Sequence, residues 1–178
     1  MGVTRHGLWL ALAALAVAGC ESGPAPTKPQ VVATVYPLWE FSRQVAGARA
    51  DAVALVPPGV EPHDWEPSPR DVSLTRRASV FVHSGTGLHA WSQKLLTDGA
   101  GFRVVVDASR GLDLIRSGGV VDPHVWLDPR LALAQVEAIE AGLVQADPSG
   151  REIYSANARA YASRLDALDR AFRAGLED

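Results

Sequence analysis

The sequence predicts an α/β fold, a four-stranded parallel sheet flanked by helices and ending in a long connecting helix. Two observations carry this. Short β-branched apolar runs alternate with segments of helical spacing in the order βαβαβαβ, which puts a crossover helix between successive parallel strands. The runs are also apolar throughout and do not alternate, as in strands covered on both faces. At 178 residues, 47% apolar and 21% charged, the chain has the material for one ordinary globular core.

The chain opens "MGVTRHGLWLALAALAVAGC", with Arg5 and His6 ahead of an apolar run from Leu8 to Ala18. That run is short for a bilayer span and closes on small residues, the pattern of a secretory signal peptide over residues 1–20. Its end, "VAGC", resembles the lipobox of bacterial lipoproteins. The resemblance implies that Cys20 is acylated and holds the protein in the periplasm or at the outer face of the cytoplasmic membrane. Residues 21–30, "ESGPAPTKPQ", read as a flexible tether. Cys20 is the only cysteine, so an internal disulfide is excluded.

The lobe expected over 31–146 starts with the strand "VVATVY". A helix follows with Pro37 near its first turn and Leu38, Phe41 and Val45 at helical spacing. "DAVALVP", "SVFVHS" and "FRVVVDAS" supply three more strands, with helices in "SPRDVSLTRRA" and "GLHAWSQKLLTDGA". Asp128–Pro129, a cap followed by proline at the first helical position, opens "RLALAQVEAIEAGLVQ". Asp147–Pro148 repeats the device, with Ser149 and Glu152 as a capping box. From there an amphipathic stripe of Tyr154, Ala158, Tyr161, Leu165, Leu168 and Phe172 predicts a helix over 147–178.

Chemistry concentrates in two matched segments, "EPHDW" (Glu61–Trp65) and "DPHVW" (Asp122–Trp126). Each follows a strand, and loops after parallel strands share the edge where open α/β sheets bind ligands. Pro62 and Pro123 stiffen the backbone beside His63 and His124, which suits a metal with little angular tolerance. Glu61, Asp64 and Asp122 are candidates to accept the second ring N–H, and Trp65 and Trp126 to form a dry wall. His83 ends the third strand and is a third candidate; His89 begins a helix and is a weaker one. A net charge of −3 and the lack of a basic run speak against nucleic acid.

The lipobox, "PPGVEPHDWEPSPRDV", "SGTGLHAW", "DPHVWLDPRLA" and "DPSGREIYSANARAYASRLDALD" together resemble the zinc/manganese-binding lipoproteins of bacterial ABC importers, the cluster A-I (cluster 9) solute-binding proteins. In that family two α/β lobes are joined by one long helix with metal between them. The resemblance implies that His63 and His124 are the N-lobe ligands, and that the chain is the N-lobe plus most of the linking helix. The remaining ligands, a histidine or glutamate and an aspartate, are then expected from a C-lobe that this chain lacks. His83, Ser84 and His89 stand where the family commonly has tyrosine, asparagine and glutamate, so neither histidine inherits a ligand role.

The implied function is capture of a divalent metal, Zn2+ first and Mn2+ or iron as alternatives, for delivery to an ABC permease and its ATPase. Paired imidazoles favour zinc, and binding should weaken in acid as the rings protonate. The expected protein is not an enzyme. The rival reading is a secreted zinc-dependent hydrolase with Asp64 or Glu66 as general base, although no His-Glu-x-x-His segment or nucleophile elbow occurs. A third reading is a lipid-anchored protein of cell adhesion.

Overall fold

The structure is a computed structural model that describes residues 28–87, 90–97 and 103–176. Four strands, β1 (Gln30–Ala33), β2 (Asp51–Ala54), β3 (Val80–His83) and β4 (Val104–Asp107), form one parallel sheet in the order β2-β1-β3-β4. Helices α1 (Tyr36–Ala46), α2 (Pro69–Arg77) and α3 (Ala90–Thr97) cross between them, as expected from the alternating pattern. α4 (Pro129–Ala146) and α5 (Arg151–Leu176) close the described chain. The predicted parallel α/β lobe with a long last helix is therefore observed.

Strand order explains the layers. The chain leaves β1 in one direction to reach β2, then turns back past β1 to β3 and on to β4. Right-handed crossovers then put α1 on one face and α2 and α3 on the other. α4 returns to the α1 face, packs on β3 and β4, and carries α5 across itself and α1. Val31, Val32, Val80, Phe81 and Val82 are fully buried in the two central strands. The outer strands are less covered than uniform apolarity suggested: Val105 is 45% exposed, because β4 has a neighbour on one side only.

Local signals account for most helix ends. Asp128 caps α4 by accepting the Arg130 N–H, with Pro129 in the first turn. Ser68 and Asp71 form a reciprocal capping box on α2. The capping box expected at Ser149 and Glu152 gives way to another arrangement. One turn of 3₁₀ helix (Pro148–Gly150) precedes α5, and the Ser149 hydroxyl donates to Asp147. Asp147 also accepts from Arg49 at 2.7 Å and from Tyr154 at 2.8 Å, which ties the start of α5 to the turn before β2.

The stretch between β4 and the His124 segment contains a hairpin, β5 (Arg116–Ser117) and β6 (Val120–Val121). Gly118 and Gly119 make its two-residue turn, both at positive φ. Such a turn matches the twist of paired strands and needs residues without a Cβ.

Candidate metal centre

His63 lies in the loop that leaves β2 and His124 in the segment that follows β6, so both come off outer strands of the sheet. Their aromatic neighbours draw both loops inward. The Trp91 indole N–H donates to the Pro62 carbonyl at 3.4 Å, and Trp65 stacks edge-on against Trp91 at 4.7 Å. Trp91 belongs to α3, which follows β3, so the His63 loop reaches across β1. On the other side, Trp126 shares a cavity with Tyr36 and Pro37, which begin α1 after β1. The His124 segment therefore lies beside the start of α1, on the face where α4 packs on it. Both loops lie on the carboxyl side of the sheet, the edge where open α/β sheets bind ligands.

The two loops share a backbone hydrogen bond from the histidine to the acid two residues before it, while the rings turn different nitrogens toward that acid. The Asp122 carboxylate accepts the His124 backbone N–H at 3.0 Å and lies 2.8 Å from ring Nδ1. With Nδ1–H donating, the Nε2 lone pair faces outward for a cation. These two hydrogen bonds also hold the Asp122 carboxyl below its ordinary range, so it stays a charged acceptor. At the other loop, Glu61 accepts the His63 backbone N–H at 3.3 Å and stands 4.0 Å from ring Nε2. Both imidazoles are open to solvent, with side chains 55% and 51% exposed. Trp126 sits edge-on to His124 at 5.6 Å, and Trp65 and Trp126 pack partly into the core. Exposed rings on braced loops suit a ligand that arrives from solution.

His83 differs. It is 4% exposed, stacked on Phe81 at 5.8 Å, and its buried Nδ1 has no hydrogen-bond partner among the described residues. Burial pushes its pKa down, so the ring stays neutral. It sits beneath the rim and not at its mouth. His89 and Cys20 lie outside the described residues. Among the described residues no three His, Cys, Asp or Glu side chains gather as a metal cluster. The cavity of about 700 Å³ beside His124, lined also by Asp113, Asp122 and Asp128, does not include His63. The anchoring role of Trp91 was not anticipated; "SGTGLHAW" carried it, but indole contacts across loops leave no spacing signature.

Fold and rim define a class: a parallel α/β lobe with paired histidine loops at the carboxyl edge of its sheet, as in extracytoplasmic metal-binding proteins. Residues 31–178 match the family described as "Zinc-uptake complex component A periplasmic", and the chain belongs to that family. It is 36% identical over 164 residues to the high-affinity zinc uptake system protein ZnuA of Bacillus subtilis, covering 82% of this chain and 51% of that protein. It is 37% identical over 166 residues to the manganese-binding lipoprotein MntA of Halalkalibacterium halodurans, covering 88% and 54%. The crystal structure of Zn(II)-bound AdcA from Streptococcus pneumoniae superposes with a TM-score of 0.77 at 37% identity, covering 84% of this chain and 33% of that one. The chain thus spans about half the length of these two curated relatives. The family is one of binding components of uptake systems and not of enzymes, which removes the ground for the hydrolase reading.

Proposed function

We propose that this chain contributes the first metal-binding lobe of a solute-binding protein that captures zinc outside the cytoplasmic membrane and delivers it to an ABC permease with its ATPase. His63 and His124 supply two imidazole donors, and the rest of a four-donor shell comes from a second lobe. Residues 31–146 form the lobe, residues 147–178 begin the helix to its partner, and Cys20, at the end of a signal peptide over 1–20, carries the lipid anchor. The tether over 21–30 joins the two. The observation that supports this best is the pair of solvent-open histidines, each following a proline and each with its backbone N–H held by the acid two residues before it.

Zinc titration tests it. Zinc should raise the melting temperature of the 178-residue chain, because a ligand that binds only the folded state stabilises it by mass action. His63→Ala and His124→Ala should each abolish most of that rise. A zinc response that survives both substitutions together removes the assignment. Manganese is the second reading, favoured by the similarity to MntA. Two imidazoles suit zinc better, so zinc should displace manganese in direct competition.

A further inference from the structure

The edge of the sheet opposite the histidines carries a feature that metal capture does not use. Each of the four parallel strands is preceded within three residues by a cation: Lys28 before β1, Arg49 before β2, Arg77 before β3 and Arg103 before β4. Parallel topology gathers them at the amino edge, where all four line one cavity of about 560 Å³. The single carboxylate in that lining is Asp147, which Arg49 engages through two hydrogen bonds. Lys28 stands 3.8 Å from Asp51, with both side chains more than half exposed, so little of its charge is neutralised. Arg77 donates to the neutral Ser73 hydroxyl. Among the described residues no carboxylate lies within ion-pair distance of Arg77 or Arg103, and both are exposed.

The carboxyl edge has the reverse charge. Glu61, Asp64, Glu66, Asp113 and Asp122 are all exposed there around the histidine loops and outnumber the exposed Arg110, Arg116 and Arg130 on the same side. A chain of net charge −3 is thus polarised along its strands, basic where the tether enters and acidic where the histidines stand. Lys28 lies eight chain steps beyond Cys20, a length that reaches about 29 Å at most. A lipid on Cys20 would hold the basic edge within one short span of the membrane surface.

We propose that, while the protein is not engaged with its permease, the basic amino edge docks on the anionic phospholipid headgroups of the membrane that carries the anchor, so that the histidine loops face away from the bilayer during capture and the lobe must leave the surface to deliver. This rests on the reading of Cys20 as the anchored residue. Docking would turn the acidic rim toward incoming cations and away from the negative surface. The rival account is local: helix carboxyl ends crowd the same edge, and cations there offset helix dipoles.

Vesicle co-sedimentation of the full chain carrying Cys20→Ser separates these. The leading segment, with Arg5 and the α-amino group, adds the same preference for phosphatidylglycerol to every variant, so the change in the ratio between variants reads the charge of the edge. A cation near an anionic surface is worth about fivefold in binding. The expected preference for phosphatidylglycerol is therefore about 25-fold or more, lost in high salt. Arg77→Gln with Arg103→Gln should cut it by roughly 20-fold, while Arg77→Lys with Arg103→Lys should retain it, circular dichroism confirming the fold of each. Inorganic phosphate at 10 mM, about the concentration that would fill a weak oxyanion pocket but not screen a surface, should leave the preference intact. No preference, a preference untouched by the glutamine pair, or one erased by phosphate overturns the proposal. Palmitate labelling of the wild-type chain but not of Cys20→Ser in bacterial cells tests the anchor separately. Labelling without the lipid preference sinks the docking surface alone, and the preference without labelling sinks the anchor alone.

Discussion

Asp122 takes both the backbone and the ring hydrogen bond of His124 on one carboxylate oxygen, and that double contact fixes which ring nitrogen stays free. Asparagine at 122 can either donate or accept, so it no longer pins the tautomer. Asp122→Asn should weaken zinc binding by about 10- to 100-fold, less than the loss in His124→Ala, measured by competition with a fluorescent chelator. Equal affinity would mean that the carboxylate only shapes the turn. Gly142 gives a second prediction at this scale. A Cβ there would lie 2.3 Å from Val106 Cγ2, at the packed contact of α4 with the sheet. Alanine gains about 1 kcal/mol of helix propensity, but overpacking a stiff valine costs about 1–3 kcal/mol. The severe contact decides the sign, so Gly142→Ala should lower stability in urea by about 1–2 kcal/mol. The repeated acid-proline-histidine frame around His63 and His124 is legible in the sequence as a pattern. The tryptophans that aim their loops are not, because Trp65 on Trp91 and the Trp91 bond to Pro62 are contacts between distant segments.

Element by element, legibility followed how local each cause was. β1 and β3 read as buried strands and are buried. α1 and α4 show the prolines and α4 the aspartate cap read from sequence. The start of α5 was misread because Asp147 has stronger partners than a helix N-terminus. Arg49, 98 residues away, outcompetes the local pattern. The hairpin at Gly118–Gly119 was missed although "SGGV" carried its turn signal, since two-residue strands give no periodicity. On α2 the Ser68–Asp71 box satisfies the first turn of a nine-residue helix with little buried surface. Ser68→Ala should therefore cost about 1 kcal/mol, seen as a lower urea midpoint with an unchanged slope.

The whole molecule should lose stability at both ends of the pH scale, and the same cluster contributes at each. Arg49 and the Ser149 hydroxyl hold the Asp147 carboxyl well below its usual range. A depressed carboxyl stabilises the fold above its unfolded pKa of about 4, and that contribution disappears as acid protonates it. Tyr154 is shifted the other way, to about 12, by burial and by donating to Asp147. Its contribution is present below about pH 10 and is lost as alkali ionises the unfolded chain. Melting temperature should be flat from about pH 5 to 9 and fall outside that window. Tyr154→Phe should remove part of the alkaline fall, and an unchanged alkaline limb would refute the role given to that phenol. The cluster also has a mechanical side. α5 is about 39 Å long by its rise. Its first half is clamped by Asp147, by Ser155 on Glu140, by Asn157 on the Val45 carbonyl and by Tyr161 against Phe41. Past Leu165 the apolar residues Leu168, Phe172 and Leu176 emerge into solvent. A rod bolted along half its length behaves as a lever arm, passing any torque at its free portion into the sheet and bending only beyond the last bolt. Spin labels at Arg76 and Asp166 should then report one narrow separation, with and without zinc.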